Sequence, residues 1–323
     1  VTKLLLINDV HLADRAPSLR TDDYAEDVLT KLQLAVEIGK MRGCEAVIQA
    51  GDIFHIKRPD RTSHKLVQRT ADVLTSAGLP VYIVPGNHDL SHDRLETIPS
   101  QPIGTLAKAE GIELLIGPHP TLPVYGLPYQ ANWERLPDLL KDYGQWADER
   151  HLKDMSWIPL LVTHAPIFPP GQEPPYDFIA AEDWANLMLV GDCLYGHIHD
   201  SHGVYRTKVP TVTFCNMGAL SRGSLHEATL RRKPTIAVWD SEVVGERFTL
   251  VEVPHRPAEE VFRLDIKEAQ EERQSRVSEF LEEVGQVTLD NLTVEEVVAH
   301  AERLNLDQLV LQELRSVIEE VSS

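Results

Sequence analysis

VTKLLLINDVH, residues 1–11, is the stretch that decides the fold. Residues 3–7 form a short apolar run of core-strand character, and it ends directly in Asn8, Asp9, Val10 and His11. Open α/β sheets build their sites in this way, because loops at the carboxyl ends of strands aim side chains into one crevice. The same arrangement recurs four times. Gly51 and Asp52 follow a strand-like segment at 44–49, and GNHD (86–89) follows another at 79–84. His164 closes the run 160–163, and GHIH (196–199) follows 193–195. Further strands are expected at 211–214 and 236–239, and helices at 26–41 and 62–77. Strands alternating with helices predict βαβ units and a layered α/β architecture. The segment FPPGQEPPY (168–176) is too rich in proline for regular structure.

The residues gathered at these strand ends share one chemistry. Asp9, His11, Asp52, Asn87, His164, His197 and His199 offer oxygen and neutral imidazole donors, which suit Mn, Fe, Zn and similar ions. Asp9 and His11 stand two apart, as do His197 and His199, so a strand end turning into a loop can point both members of a pair at one ion. Asp52 has two carboxylate oxygens and can bridge two ions, ~3.5–4 Å apart, a pair suited to hydrolysis of phosphate esters. Gly51, Gly86 and Gly196 allow backbone to come close to such a centre. A lone DxH or GD is common in ordinary turns. Five such motifs in this order, each behind a strand, point to a two-metal phosphoesterase. Other histidines, such as His119, His151 and His255, are assigned to surface or packing roles.

At 323 residues the chain exceeds what one hydrophobic core usually takes. A large domain over 1–240 and a smaller appendage over 241–323 are expected. The net charge is −19, but residues 241–323 hold 20 acids against 8 bases, so most of the excess lies in the tail. That distribution argues against a strongly basic DNA-wrapping surface, and leaves room for a catalytic groove with a local basic rim. No run of 18 apolar residues marks a membrane span, and the first residues lack the longer apolar region of a secretory leader. Cys44, Cys193 and Cys215 have no metal-type spacing and read as buried small apolar residues in a reducing cytosol. In the tail, 268–284 carries apolar residues at helical spacing, and Thr293 to Glu296 fits a capping box. Leu306, Leu309, Val310, Leu314, Val317, Ile318 and Val321 form an apolar stripe, for packing on the protein itself or for docking a partner.

The five motifs, in their order, resemble those of the calcineurin-like metallophosphoesterase superfamily over roughly residues 1–240. The resemblance implies a layered β-sandwich of mixed sheets flanked by helices, with a small mostly helical C-terminal appendage. It also implies two ligand sets: Asp9, His11, Asp52 and His199 for one ion, and Asp52, Asn87, His164 and His197 for the other. A water activated between the ions is the nucleophile it implies. Within the superfamily, GDIFHIKRP (51–59) resembles the GD-x-F-H-x-x-x-P pattern of the SbcD-type double-strand-break repair nucleases. By that resemblance His55 positions the scissile phosphodiester. His88 contacts the phosphate and protonates the leaving oxygen, work that an imidazole suits near neutral pH. NMGALSR (216–222) is similar to a small-residue turn in the same family, which makes Arg222 a candidate phosphate contact beside Lys57, Arg58 and Arg61.

The implied activity is a Mn-dependent DNA exonuclease, with endonucleolytic cutting as a second mode, serving recombination and repair. The implied partners are DNA, an SMC-like (SbcC-type) ATPase held by the C-terminal helices, and a second copy of the chain through 62–77 and 101–110. The implied location is the cytoplasm of a bacterium or of a phage-infected host. The same ligands would serve a phosphodiesterase acting on small molecules such as cyclic nucleotides. A metal-holding scaffold subunit is a third possibility, disfavoured by the intact ligand set.

Overall fold

A computed structural model describes residues 2–17, 19–56, 58–151, 158–223 and 227–266. The chain first lays down four parallel strands: β1 (Lys3–Ile7), β2 (Ala46–Gln49), β3 (Val81–Ile83) and β4 (Ile112–Leu114). Helices α1 (Tyr24–Met41) and α2 (His64–Thr75) make the first two crossovers, and the short α3 (Pro102–Leu106) lies in the third. Both long helices begin on side-chain caps: Asp23 accepts from the Glu26 amide, and Ser63 from the Leu66 amide. A second sheet follows, from β5 (Gly117–Pro118), β6 (Val124–Leu127) and β7 (Leu160–His164). After the small pair β8 (Ile167–Phe168) and β9 (Ile179–Ala180), it is completed by β10 (Asp192–Gly196), β11 (Gly203–Arg206) and β12 (Thr213–Asn216). Helices α4 (Leu136–His151) and α5 (Ala181–Met188) belong to this half. Beyond the short α6 (Glu227–Arg231), strands β13 (Thr235–Asp240) and β14 (Phe248–Glu252) return to the first sheet, and α7 (Ala258–Val261) follows.

The two six-stranded sheets run β14-β13-β1-β2-β3-β4 and β11-β12-β10-β7-β6-β5. Both mix parallel and antiparallel neighbours, as the expected sandwich of mixed sheets requires. Period-two alternation explains the layers. On β1, Leu4 and Leu6 face the core between the sheets with Ile48, Val162, Leu194 and Trp239. Leu5 and Ile7 face the opposite way, onto Val28, Leu32 and Val36 of α1. The far side of the second sheet packs Leu161, Cys193 and Phe214 against Tyr143 of α4 and Trp184 of α5. All three cysteines are buried and free, as expected.

The first compact unit extends to Val261, past the boundary expected at 240. The reason is β14, which pairs with β13 along the edge of the first sheet. Just before it, Arg247 makes a two-point ion pair with the buried Asp192 of β10 (2.6 and 2.9 Å), and Trp239 Nε1 donates to the same carboxylate at 2.8 Å. These contacts bind the two sheets together. The segment 101–110, expected to help pair two copies of the chain, contains the five-residue α3. The second unit begins at Phe262. The helices expected at 268–284, 293–296 and 306–321 lie outside the described residues. Among the described residues, no helix is long and apolar enough to cross a membrane.

Candidate metal centre

Five parallel strands deliver the seven expected ligands. Asp9 and His11 follow β1, Asp52 follows β2, Asn87 follows β3, His164 ends β7, and His197 and His199 follow β10. Hydrogen bonds tie these strand ends together, one between the two sheets and two between the neighbouring ends of β1 and β2. Asn8 Nδ2 donates to the Tyr195 carbonyl at 2.7 Å, and the Val10 and His11 amides donate to the Asp52 carbonyl at 3.0 and 2.9 Å. The residues that converge there are strained. His11, Asp52 and His197 all have positive φ (51°, 56° and 86°), uncommon for residues with a Cβ. Such strain persists only where the surroundings over-determine the backbone, and it clusters at functional sites.

Two donor sets result. Asp9, His11, Asp52 and His199 bring their ligand atoms within 4.8 Å of one another. The Nε2 atoms of His11 and His199 lie 2.7 Å apart, and His11 Nε2 is 3.6 Å from Asp52 Oδ2 and 3.8 Å from Asp9 Oδ1. On the other side, His164 Nε2 is 3.3 Å from Asp52 Oδ2 and 3.0 Å from Asn87 Oδ1, which lies 3.1 Å from His197 Nδ1. Asp52 belongs to both sets. His164 Nδ1 donates to the Ala50 carbonyl at 2.8 Å, which turns Nε2 inward as a lone-pair donor. Two glycines make this approach possible. A Cβ on Gly51 would collide with the His164 ring, and one on Gly86 with the Asp52 carboxylate.

The electrostatics call for cations. Asp9 and Asp52 are both buried, and burial raises Asp9 to about 7. Burial also opposes ionisation of Asp52, but His164 and His11 outweigh it and hold that carboxyl well below its usual range. Burial drives His164 toward neutrality, yet the Asp52 carboxylate prevails and raises it to about 9. His11 is driven well below its ordinary value and His197 to about 3, by burial first and by neighbouring histidines after that. Converging neutral imidazoles beside buried carboxylates fit divalent ions with nitrogen and oxygen preferences.

Asp89, the last residue of GNHD, accepts from the amides of Asp52 (2.8 Å), Gly86 (2.9 Å) and Ile53 (3.2 Å). It thereby locks the second motif to the third. Burial raises it to about 7, with the Asp52 charge adding. Sequence reasoning named its motif but gave Asp89 no role. Asn216 was missed too: fully buried, it donates to the Tyr195 and Ile198 carbonyls and shapes the loop carrying His197 and His199. Arg232 is the third omission. Its Nη1 donates to the His199 carbonyl at 2.7 Å and its Nη2 to the Ser221 carbonyl. In sequence it stands in the basic run Arg231, Arg232, Lys233, which looks like ordinary surface charge.

His55 and His88 sit over the first set. Their rings stack at 5.4 Å, and each is edge-on to His11, at 5.3 and 5.0 Å. The His88 amide donates to Asp52 Oδ1 at 2.7 Å, and His88 Nδ1 donates to the His55 carbonyl at 2.5 Å. His55 Nδ1 lies 3.3 Å from His11 Nδ1. The expected DNA contacts divide. Arg58 and Arg61 are exposed, although Arg58 is paired with Asp60 at 2.8 Å. Lys57 lies outside the described residues. Arg222 is corrected: it is 1% exposed, and its guanidinium donates to the Arg256 carbonyl, so its charge serves the interior and not a bound strand.

Two donor sets sharing one carboxylate, on a sandwich of two mixed sheets, define a metal-binding phosphoester hydrolase. The profile of the calcineurin-like phosphoesterases matches residues 2–201, and the chain belongs to that family. It is similar to the DNA double-strand break repair protein Mre11 of Sulfurisphaera tokodaii, with 29% identity over 146 residues, 43% of this chain and 36% of that protein. It is also similar to the Mre11 of Aeropyrum pernix, with 32% identity over 96 residues, 30% of this chain and 23% of that one. The matched segments thus span about a third or less of these relatives. Among solved structures, it resembles a dimetal phosphatase from Danio rerio (TM-score 0.48, 17% identity, 74% of this chain and 92% of that one). It also resembles TT1561 of Thermus thermophilus (TM-score 0.49, 14% identity, 79% of this chain and 100% of that one).

Proposed function

We propose that the protein is a Mn-dependent DNA nuclease, an exonuclease with endonucleolytic cutting as a second mode, acting in recombination and repair. The observation that carries this reading is the His55–His88 pair standing over the first donor set. His88 Nδ1 is committed to the His55 carbonyl, so Nε2 is the atom left to exchange a proton with substrate. A histidine fixed in this way, beside a phosphoester held at the centre, can protonate the leaving oxygen of a diester. GDIFH at 51–55 and the similarity to two repair proteins support DNA as the substrate class.

Asp9, His11, Asp52 and His199 would hold one ion, and Asp52, Asn87, His164 and His197 the other. When bound, such ions polarise phosphoryl oxygens and lower the pKa of water. The chain's own groups do the rest. Asp89 fixes Asp52 and Gly86, His55 positions His88 and the phosphate, and His88 delivers the proton. An SMC-like ATPase as partner and pairing of two copies through α2 and α3 belong to the same reading, on the strength of the family resemblance.

The test is cleavage of linear duplex and single-stranded DNA with Mn, with EDTA, and by His88→Gln. Mn-dependent cutting that disappears in EDTA and falls roughly 10²–10⁴-fold in the variant is expected, the range for loss of a general acid. Hydrolysis of a small aryl phosphodiester with no DNA cleavage would instead favour a small-molecule phosphodiesterase.

A further inference from the structure

Beside the two donor sets stands a third group of nitrogen donors. His11, His55 and His88 each bring a ring nitrogen within 4.8 Å of the other two. They come from three neighbouring segments: His11 follows β1, His55 lies in the loop after β2, and His88 follows β3. Composition sets the group apart. The first donor set mixes two carboxylates with two imidazoles, whereas this group is imidazole throughout. Carboxylate and water ligands suit Mn and Mg, and imidazoles suit Zn, Cu and Ni.

The spacing fits one such ion. Two imidazole nitrogens on a tetrahedral Zn²⁺, each ~2.0–2.1 Å from the metal, stand about 3.3–3.4 Å apart. His11 Nδ1 and His55 Nδ1 stand 3.3 Å apart. His88 donates from Nδ1 to the His55 carbonyl, so its lone pair is on Nε2. His55 and His88 are half-buried, and small rotations of their rings can close the triangle. Three imidazoles with water in the fourth position is a ligand set that zinc takes in proteins. His11 presents its two nitrogens to different neighbours, Nε2 to Asp9, Asp52 and His199, and Nδ1 to His55. It can therefore serve two ions at once as a bridging imidazolate, its Nδ1 proton leaving to solvent as the bond to zinc forms.

We propose that His11, His55 and His88 form a third ion site, which takes Zn²⁺ in preference to Mn²⁺ and holds the Mn-loaded enzyme inactive. The binding stands on the three rings alone. The inactivity rests on the proposed function, in which His88 Nε2 exchanges the proton and His55 positions it. A lone pair committed to zinc can neither hold nor deliver a proton. Zinc bound here therefore switches the enzyme off without emptying either donor set.

The experiment counts ions on the full-length protein. Metal-free protein is brought to equilibrium by dialysis against Mn²⁺, against Zn²⁺, or against both, and its total bound metal is measured by atomic emission. The wild type should hold two ions in Mn²⁺ alone and three whenever Zn²⁺ is present. Counting the total makes the result indifferent to exchange of zinc for manganese within the two donor sets. His55→Gln and His88→Gln should each stop at two ions in every condition, and either serves if the other does not fold. Two ions on the wild type in zinc would overturn the site. So would a third ion that persists in the variants, since it would lie on other histidines. A third Mn²⁺ on the wild type would overturn the preference. Activity is followed on a small aryl phosphodiester, and turnover by the Mn-loaded wild type should fall in step with loading of the third ion. Inhibition complete while the count is still two, or full turnover with three ions bound, would overturn the switch. A third zinc ion on a protein that cuts no DNA in Mn²⁺ alone would sink the nuclease reading and leave the site standing.

Discussion

The two halves of the metal centre share Asp52 and differ in almost everything else. His164 is fully buried, donates to the Ala50 carbonyl, and sits where Gly51 and Gly196 leave room for nothing larger. His199, in the other half, has a side chain 45% exposed, and His11 turns its second nitrogen toward another imidazole, that of His55. The contrast lies between these two histidines, since Asp9 and His11 beside His199 are buried and Asn87 and His197 beside His164 are half-buried. A cavity of about 260 Å³ lined by His11, His55 and His199 opens on the His199 side, beside the His55–His88 pair. On the proposed reading, substrate and proton transfer belong to the His199 side, and His164 serves as the fixed reference for the geometry.

The largest expected effect breaks this comparison directly. His164→Ala removes the buried partner of Asp52, and leaving a buried charge uncompensated costs about 3–5 kcal/mol. The metal-free variant should melt well below the wild type, and metal titration should show one ion fewer. His199→Ala should also lose an ion, yet shift the metal-free melting midpoint little, because surface changes usually stay within about 0.5 kcal/mol. Thermal melts in EDTA settle the matter. Equal destabilisation by both variants would mean that the halves do not differ as described.

Asp89→Asn is expected to come next. It keeps the shape but cannot take three amide donors on a carboxylate, and Asp52 and Gly86 lose their common anchor. Loss of a residue that orients metal ligands typically costs 10–100-fold in affinity or activity. Mn affinity and aryl phosphodiester turnover should both fall in about that range, with all seven ligands still present. No change in either would reduce Asp89 to packing.

How far this was legible in the sequence follows from range. The strands β1, β2, β7 and β10 announce themselves as apolar runs ending in ligand residues, so the ligand list could be assembled from local pattern alone. Asp89 stood in plain view within GNHD, but its three donors come from two separate turns and only the fold unites them. Arg222 and Arg232 show the same limit from opposite sides. Both are arginines near a candidate site in sequence. One lies buried behind the cavity wall and the other lines the cavity, and no local feature tells them apart. Helix α4 went unread because its partner α5 lies farther along the chain, and strand β14 because it buries only Phe248 at the edge of its sheet.

The smallest effect is the most diagnostic of the buried half. In the metal-free protein the Asp52 carboxylate, at 3.3 Å, holds His164 protonated up to about 9. Only the neutral ring can ligate, so binding an ion at neutral pH must expel that proton. Between about pH 7, below which the Asp9 and Asp89 carboxyls also take up protons, and pH 9 this proton competes, and Mn affinity should rise roughly tenfold per pH unit before levelling off. Calorimetry in two buffers of different ionisation heat should count close to one proton released near pH 8. The metal-free protein should show the opposite slope. A histidine raised above its ordinary value of 6.5 contributes stability that is complete below 6.5 and lost as pH rises toward 9. Over that window the empty protein weakens while its metal affinity grows. Above about pH 7, His164→Ala should abolish both slopes and His199→Ala should leave both in place, since His199 is displaced downward, by desolvation first and by Arg232 after it. If the proton count survives in His164→Ala, the proton belongs to another group, and the buried half is not the electrostatic anchor of the centre.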